Sequence, residues 1–333
     1  MASIRSPKFI LAFVAGFALL VILNHNGGNI NIDLASGTSN ETDTSNLPYK
    51  FEKNGRCQGD ERHRCIPPLH VFEKRFRAAP KYKINVCAIE KNLSTIMTAI
   101  MCFLFDEKKF SDKNRNLNEE MFHQRFCRTR NEATSIDHLE RKFKTNATDW
   151  LHLAIVREPI ERFVSGFVDK CVIEQVWIEN GKLCNMCRKN ITCFAERQYK
   201  RMVIHSNGGK LNNFDDRHFF PQSWRCDFSA HFRRFTFLQY KNEHTEPFLQ
   251  TLYTHLESRN VSNSTIEIIN KQLHDGKTRH ATVGLSERDI YERQVRSDPY
   301  ILQYIIWMYY YDFVLFGFPL PEVPAQKVQI KIV

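Results

Sequence analysis

A short apolar strand that leads directly into a turn and a helix constrains the fold of this chain most. Residues 84–89 are apolar and rich in β-branched side chains, which is typical of a strand buried in an α/β sheet. Ser94 and Thr95 are residue types that cap helices, and the apolar positions after them fit a helix up to Phe105. The stretch therefore predicts a strand–turn–helix unit.

The turn of this unit, residues 90–93, carries one cation, Lys91. Such a unit directs free backbone N–H groups at one point, and the helix dipole favours an anion there. With the hydroxyls of Ser94 and Thr95 as further donors, the turn predicts a phosphate cradle. A lysine in such a turn also serves solubility alone, so this stretch by itself leaves both interpretations open. The Gly-x-x-x-x-Gly-Lys-Ser/Thr pattern of P-loops is absent from the sequence, which disfavours an ATPase or kinase.

The N-terminal region predicts insertion into a membrane. Residues 9–23 are an uninterrupted apolar run of 15 residues, short for a span and long enough for a signal peptide. Arg5 and Lys8 precede this run, so an anchor leaves the rest of the chain in the lumen. We favour an uncleaved anchor over a cleaved signal because no clear small-x-small site follows. The predicted organisation is a cytosolic tail at 1–8, an anchor at 9–23, a luminal stem at 24–80, one large domain at 81–320 and a C-terminal tail at 321–333.

Ten cysteines in a luminal chain predict disulfides. Cys57 and Cys65 bracket a polar loop and are expected to form a local bridge. Cys87 and Cys102 fall on predicted buried faces and are interpreted as core thiols. The remaining cluster of cysteines resembles half a zinc site, but no second pair with matching spacing follows, so we favour disulfides there too. Its members are Cys184, Cys187 and Cys193.

The formal charge of +10 indicates either an acidic partner, which would be a polyanionic glycan, a nucleic acid or an anionic membrane, or only a generally basic surface. Luminal placement removes nucleic acid from this set. Six Asn-x-Ser/Thr sequons fit luminal exposure, although Asn92 lies inside the proposed cradle and is expected to be inaccessible. The sequons begin at Asn40, Asn92, Asn146, Asn190, Asn260 and Asn263.

A second strand–turn–helix unit follows about 65 residues after the first. Residues 150–156 form another buried-strand run, and Pro159 suits the first turn of a helix. Arg157 stands at the strand end, where α/β folds gather ligands. Ser165 lies about two turns into the helix. Arginine offers a planar fork for phosphate and serine a compact donor. For the pair in isolation we favour the simpler interpretation, a surface arginine and a helix-face serine.

Both units in this order resemble the sulfotransferase superfamily. Residues 156–170, Val-Arg-Glu-Pro-Ile-Glu-Arg-Phe-Val-Ser-Gly-Phe-Val-Asp-Lys, are more narrowly similar to Golgi carbohydrate sulfotransferases of the chondroitin, dermatan and HNK-1 type. Residues 217–228 resemble that family's His-x-x-Pro-Gln segment ending in Cys, and residues 309–318 resemble its Tyr-x-x-Asp-Phe-x-x-Phe-Gly-Tyr end. The resemblance covers about residues 83–318.

This resemblance implies a three-layer, P-loop-like α/β fold with a central, mostly parallel sheet. It implies a single-pass type II Golgi membrane protein with a luminal domain. The implied reaction moves a sulfuryl group from 3′-phosphoadenosine 5′-phosphosulfate to a hydroxyl of an acidic, glycosaminoglycan-like glycan, with chondroitin as the first expectation, and needs no metal. The implied donor-binding residues are Lys91, Asn92, Leu93, Ser94, Thr95, Arg157 and Ser165.

Two residues are expected to carry the chemistry. Lys91 would neutralise the bridging oxygen as its bond to sulfur breaks. His218, in the family-like segment, is the first candidate for the base that takes the acceptor proton, with Asp215 and Asp216 as alternatives.

The first turn departs from the family pattern Pro-Lys-x-Gly-x-Ser/Thr. Glu90 replaces the proline, and Leu93 replaces the glycine, which permits positive φ and close approach of the backbone to a phosphate. The departure keeps a second hypothesis open, a catalytically silent sulfotransferase fold that binds polyanionic glycan.

Three downstream stretches complete the prediction. Residues 235–238 are expected to form a third strand, and residues 300–311 an aromatic helix in the core. The polar, basic segment 277–282 either closes over the nucleotide or glycan or is an ordinary solvated loop.

Overall fold

A central five-stranded sheet organises the fold in the computed structural model, which describes residues 57, 59–120, 124–211, 213–242, 244–275 and 284–323. The strands are β1 (Phe76–Ala79), β2 (Ile84–Cys87), β3 (Glu132–Ala133), β4 (Leu151–Arg157) and β5 (Phe235–Tyr240). They lie in the order β3-β1-β2-β4-β5. The three strands predicted from the sequence, β2, β4 and β5, are neighbours in this order.

Four of the five strands run in one direction. Strand β4 is parallel to both β2 and β5, whereas β1 is antiparallel to its neighbours β2 and β3. The carboxyl ends of parallel strands meet at one edge of a sheet, so the turns after β2 and β4 lie side by side. The predicted α/β fold with a central, mostly parallel sheet is confirmed.

Helices cover the sheet. They are α1 (Ser94–Phe105), α2 (Glu107–Asp112), α3 (Ile136–Phe143), α4 (Pro159–Phe167), α5 (Ile191–Ser206), α6 (Phe214–Phe219), α7 (Phe228–His231), α8 (Thr245–Glu257), α9 (Asn263–Asp275), α10 (Ser286–Ser297) and α11 (Pro299–Leu315). Leu153 and Ile155 of β4 join an apolar core with α1, α8 and α9. Ala154 and Val156 point to the opposite face and are also buried, so β4 is covered on both sides.

A second layer of helices is held together by aromatic side chains. The ring of Phe163 in α4 lies 5.8 Å from Phe194 in α5 and 6.3 Å from Tyr309 in α11, measured between ring centroids. Tyr309 is buried, and its hydroxyl donates to the Phe219 carbonyl at 2.6 Å. The core role predicted for residues 300–311 fits this packing.

The folded domain begins before residue 81. Strand β1 is fully buried and lies inside the range predicted as stem, residues 24–80. A run of four residues is too short to be told from a linker by its local pattern, and only its pairing with β2 reveals it. The predicted anchor at 9–23 lies outside the described residues, as does the segment 277–282. Among the helices of the described part, none is long and apolar enough to cross a membrane.

All ten cysteines form disulfides. The predicted bridge between Cys57 and Cys65 is confirmed, and the predicted cysteine cluster forms bridges rather than a metal site. The interpretation of Cys87 and Cys102 as core thiols was wrong, because both are bonded to cysteines distant in the sequence. The four other bridges are Cys87–Cys226, Cys102–Cys127, Cys171–Cys184 and Cys187–Cys193.

Candidate active site

The two predicted turns meet at one edge of the sheet. Nη1 of Arg157, the last residue of β4, donates to the carbonyl oxygen of Lys91 at 3.1 Å. The side chain of Arg157 is 4% exposed, and its Nη2 is buried with no hydrogen-bond partner in the described part of the chain. Burial lowers the pKa of this guanidinium, and the carboxylate of Glu161 opposes that effect. A buried guanidinium with a free donor is suited to an anionic ligand.

The turn that carries Lys91 has an unusual backbone. Lys91 has a φ of 69° and Leu93 a φ of 55°, both in the left-handed region. Leu93 thus adopts the conformation for which glycine is normally used, and its side chain packs against the apolar core around α1. For a residue with a Cβ this conformation costs about 1–2 kcal/mol. The turn therefore takes a glycine-like backbone although it lacks glycine.

Helix α1 starts one residue earlier than its capping pattern suggests. Leu93 occupies the N-cap position, and Ser94 and Thr95 lie inside the helix, so their predicted capping role is not observed. Among the described residues, no side chain caps this helix. The first N–H groups of a helix have no partner within it, so this end of α1 can receive an anion.

Lys91 is held by a buried carboxylate. Its Nζ forms an ion pair with Asp169, which lies in a π-helical turn, Val168–Ile173, that continues α4. Lys170 also reaches Asp169, at 2.9 Å. Burial lowers the pKa of Lys91 to about 8, and the negative charge of Asp169 opposes this effect. Lys91 therefore remains largely protonated at neutral pH, in a site where its charge is poorly solvated.

Asn92 serves the architecture of the turn. It is 1% exposed, its backbone N–H donates to the Ile89 carbonyl at 3.2 Å, and its side-chain amide donates to the Ile155 carbonyl at 2.8 Å. The amide also contacts Gln222, whose Oε1 accepts from the Arg157 N–H at 2.9 Å. These contacts fix the turn to β4. The buried side chain agrees with the expected inaccessibility of this sequon.

Glu90 binds the turn to its surroundings. Its carboxylate accepts from Arg75 at 2.8 Å and from Arg225 at 3.0 Å, and its carbonyl accepts from Arg162 at 3.1 Å. Burial opposes ionisation of Glu90, but the guanidiniums of Arg225 and Arg75 outweigh it and lower the pKa. Because Glu90 is a buried anion with two cationic partners, it stabilises the turn at the position where related turns carry proline.

His218 lies close to this turn. Arg162, which binds the Glu90 carbonyl, also donates to the His218 carbonyl at 3.1 Å. Nδ1 of His218 lies 2.7 Å from the Phe214 carbonyl, so Nδ1 carries the proton and Nε2 remains an acceptor. Burial and the charge of Lys91 lower the pKa of His218 to about 3. The imidazole is therefore neutral at physiological pH, the form that a general base requires.

The alternative bases, Asp215 and Asp216, have structural partners. Both are fully buried. Asp215 accepts from the backbone N–H groups of Cys184 and Asn185, at 3.2 and 3.0 Å. Asp216 accepts two hydrogen bonds from Arg201, at 2.7 and 2.6 Å, and caps α6. Their lone pairs face these donors, which makes them poor candidates for the base.

Ser165 is the remaining predicted ligand. It lies two turns into α4 and is 4% exposed. The helix that bears it is fixed at its start by Pro159 and by the Glu158 carboxylate, which accepts from the Glu161 N–H at 2.6 Å. Ser165 is therefore carried by the same rigid element that follows Arg157.

The depressed pKa of His218 predicts a stability difference at acid pH. An unfolded histidine titrates near 6.5, so between this value and about 3 the unfolded state binds more protons than the native state, and acidification destabilises the fold. We expect the free energy of unfolding to fall from pH 7 to pH 5 by up to about 2 kcal/mol more in the wild type than in His218→Gln. Urea denaturation at both pH values measures this. Equal losses in the two proteins would show that native His218 is protonated in this range.

Comparison with known proteins identifies the family. The profile of the Sulfotransferase family matches residues 74–319. The chain belongs to the sulfotransferase family. This sulfotransferase is 34% identical over 262 residues to an uncharacterized protein of Caenorhabditis elegans, covering 78% of this chain and 73% of the relative. It is 33% identical over 257 residues to the Caenorhabditis elegans protein "Carbohydrate sulfotransferase chst-1", covering 76% and 78%. No solved structure matches it.

Sequence reasoning missed three residues that shape this sulfotransferase site. Asp169 binds Lys91, Arg162 joins the first turn to His218, and Gln222 joins that turn to β4. Gln222 lies in the family-like segment 217–228, so its position there could have indicated that it belongs to the site. Asp169 and Arg162 lie in the motif 156–170, but nothing in their spacing indicates their partners.

Proposed function

We propose that this sulfotransferase uses 3′-phosphoadenosine 5′-phosphosulfate as donor and a glycosaminoglycan-like glycan, chondroitin first, as acceptor. The observation that carries the proposal is the contact between Arg157 and the Lys91 carbonyl, which brings the Arg157 guanidinium to the turn that precedes the uncapped start of α1. The relative named as a carbohydrate sulfotransferase supports a sugar acceptor. The net charge of +10 supports an acidic one.

The residues present fit a donor with two separated anionic groups. The free N–H groups of α1, with Lys91 and the hydroxyls of Ser94 and Thr95 nearby in sequence, suit the 5′-phosphosulfate. The unpartnered Nη2 of Arg157 suits the 3′-phosphate. When bound, this donor supplies a sulfuryl group attached to a nucleotide leaving group.

Lys91 provides the charge that transfer needs. As the bond between sulfur and the bridging oxygen breaks, negative charge grows on that oxygen, and a fixed cation stabilises it. The buried position of Lys91 strengthens this interaction because little water screens it. Before donor binds, Asp169 neutralises Lys91, so part of that ion pair is exchanged for the donor's charge.

His218 would take the proton of the acceptor hydroxyl through Nε2. Its very low pKa makes it a weak base in the free protein. Anionic groups held near Lys91 raise the pKa of an adjacent histidine, so donor binding would strengthen the base. This implies that the donor binds first and that His218 then takes the proton from the acceptor hydroxyl.

We place the catalytic domain in the Golgi lumen, behind an anchor at residues 9–23. The disulfides of the described domain support an oxidising compartment. Treating the expressed protein with an N-glycosidase tests this placement, because glycans on sequons such as Asn146, Asn190 or Asn260 would shift its mobility. A protein that shows no shift would contradict luminal placement.

Arg157→Ala should separate donor binding from folding. The substitution removes a charge-assisted phosphate contact, so donor affinity measured by calorimetry should weaken by roughly 1.5–3 kcal/mol. Arg141→Ala, an exposed arginine on α3, is the matched control and should leave affinity unchanged. Unchanged donor affinity in Arg157→Ala would remove Arg157 from the site.

Sulfate transfer from labelled donor to desulfated glycosaminoglycans tests the function itself. Transfer is expected in the wild type, with lower turnover and unchanged donor affinity in His218→Ala. A wild-type protein that binds donor and glycan but transfers no sulfate would support the alternative hypothesis, a catalytically silent fold that binds glycan. In that case Leu93→Gly tests whether the turn prevents transfer, because glycine keeps the positive φ and removes the Cβ. Sulfate transfer by this variant would show that the turn was the cause.

A further inference from the structure

One carboxylate, Glu161, is shared by three side chains that come from separate elements. Its Oε2 lies 3.0 Å from Nδ2 of Asn242, 3.4 Å from Nε of Arg157 and 3.8 Å from Nη2 of Arg288. Arg157 ends β4, Asn242 follows β5, and Arg288 lies on α10. Two parallel strand ends and a helix thus converge at the edge of the sheet where α/β proteins bind ligands.

These three side chains are buried but only partly satisfied. Arg157, Arg288 and Asn242 are 4%, 6% and 7% exposed. Nη2 of Arg157, Nε of Arg288 and Oδ1 of Asn242 are buried without a hydrogen-bond partner in the described part of the chain. A buried donor or acceptor that stays unpaired is unfavourable, because it has lost its hydrogen bonds to water. An anionic ligand that binds here would give acceptors to the two unpartnered guanidinium donors.

The acidic groups nearby satisfy the two guanidiniums only in part. The distances from Glu161 to Arg157 and Arg288 exceed the roughly 2.7–2.9 Å of a strong charge-assisted hydrogen bond. Glu292 binds Nη2 of Arg288 at 2.7 Å, whereas Nε of the same guanidinium has no hydrogen-bond partner in the described part of the chain. A phosphate has three acceptor oxygens and can bind both arginines at shorter distances.

A cleft beside Arg288 gives a ligand access. Its volume is about 630 Å³. Arg296, in the same cleft, contacts the carboxylate of Glu158, the residue after Arg157, at 3.3 Å, so one wall of the cleft is tied to the start of α4. The lining residues are Arg288, Asp289, Glu292, Arg293, Arg296 and Ser297.

We propose that Arg288 is a second guanidinium contact for the 3′-phosphate of the nucleotide donor, acting together with Arg157. The inference rests on the proposed function and assigns α10 a part in donor recognition. Lys91 and the start of α1 serve the 5′ side, so the pair Arg157 and Arg288 distinguishes a 3′-phosphorylated nucleotide from one without that phosphate. Glu161 holds both arginines in place until the phosphate arrives.

Binding of two nucleotides to the full-length chain tests this proposal. The probes are 3′-phosphoadenosine 5′-phosphate and adenosine 5′-monophosphate, titrated by calorimetry. We expect Arg288→Ala to weaken binding of the bisphosphate by roughly 10-fold or more and to leave binding of the monophosphate unchanged. Arg288→Lys keeps the charge near Glu292 but lacks the planar fork, so an intermediate loss is expected. Arg141→Ala again serves as control.

The outcomes separate the two proposals. Equal weakening for both nucleotides, or no weakening, in both Arg288 variants would overturn the role of Arg288. If only Arg157→Ala loses the preference for the bisphosphate, the donor site stands and Arg288 is excluded from it. If the wild type binds neither nucleotide, the proposed function itself fails. Binding of the monophosphate by Arg288→Ala also verifies that the variant is folded.

Discussion

Lys91→Ala is expected to lower kcat by about 10²–10³-fold, with a much smaller change in donor affinity. The reason is that the charge on the bridging oxygen grows between the bound state and the transition state, so the cation stabilises the transition state more. The fold should tolerate the change, because Lys170 remains 2.9 Å from Asp169 and that carboxylate keeps a partner. Steady-state sulfate transfer and donor calorimetry on the same preparations measure the two effects.

Two controls sharpen this experiment. Lys83, at the opposite end of β2, forms a surface ion pair with Asp149 and is half exposed, so Lys83→Ala should leave kcat unchanged. Lys91→Arg keeps the charge but replaces a compact ammonium with a wide fork, so partial activity is expected. If Lys91→Ala raised KM and left kcat intact, Lys91 would stabilise the bound substrate and the transition state equally. Its assignment as a catalytic residue would then be wrong.

Removal of the bridge between Cys87 and Cys226 is expected to lower the free energy of unfolding by about 5 kcal/mol. The two cysteines are 139 residues apart, so the bridge restricts a long loop in the unfolded chain. It also joins the end of β2, just before the Lys91 turn, to the segment that follows His218. The double variant Cys87→Ala, Cys226→Ala should therefore lose both stability and alignment of the site.

The bridge between Cys187 and Cys193 is a matched control. Its cysteines are only 6 residues apart, and the same loop-entropy relation gives about 2 kcal/mol for the corresponding double alanine variant. Urea denaturation of the two variants under non-reducing conditions compares them directly. Similar losses in both would show that packing around the sulfur atoms, rather than loop length, determines their contribution.

The sequence placed the main elements because their signals are local. Buried runs of apolar residues marked β2, β4 and β5, and helical spacing marked α1, α4 and α11. The signals failed where an element was very short, as for β1 and β3. They also failed at the start of α1, because the contacts that hold Asn92 to Ile155 set the turn and move the N-cap from Ser94 to Leu93.

For the site, sequence alone determined that Lys91 and Arg157 lie at one sheet edge, because each follows a buried strand and parallel strands end together. Only the tertiary structure decided the partners of these residues and of the turn. Asp169 pairs with Lys91 across 78 residues, and Arg225 reaches Glu90 across 135. No local periodicity encodes such contacts, because they depend on how distant helices and turns pack against the sheet. The roles of Lys91, Arg157 and His218 in transfer stay predictions for the experiments above.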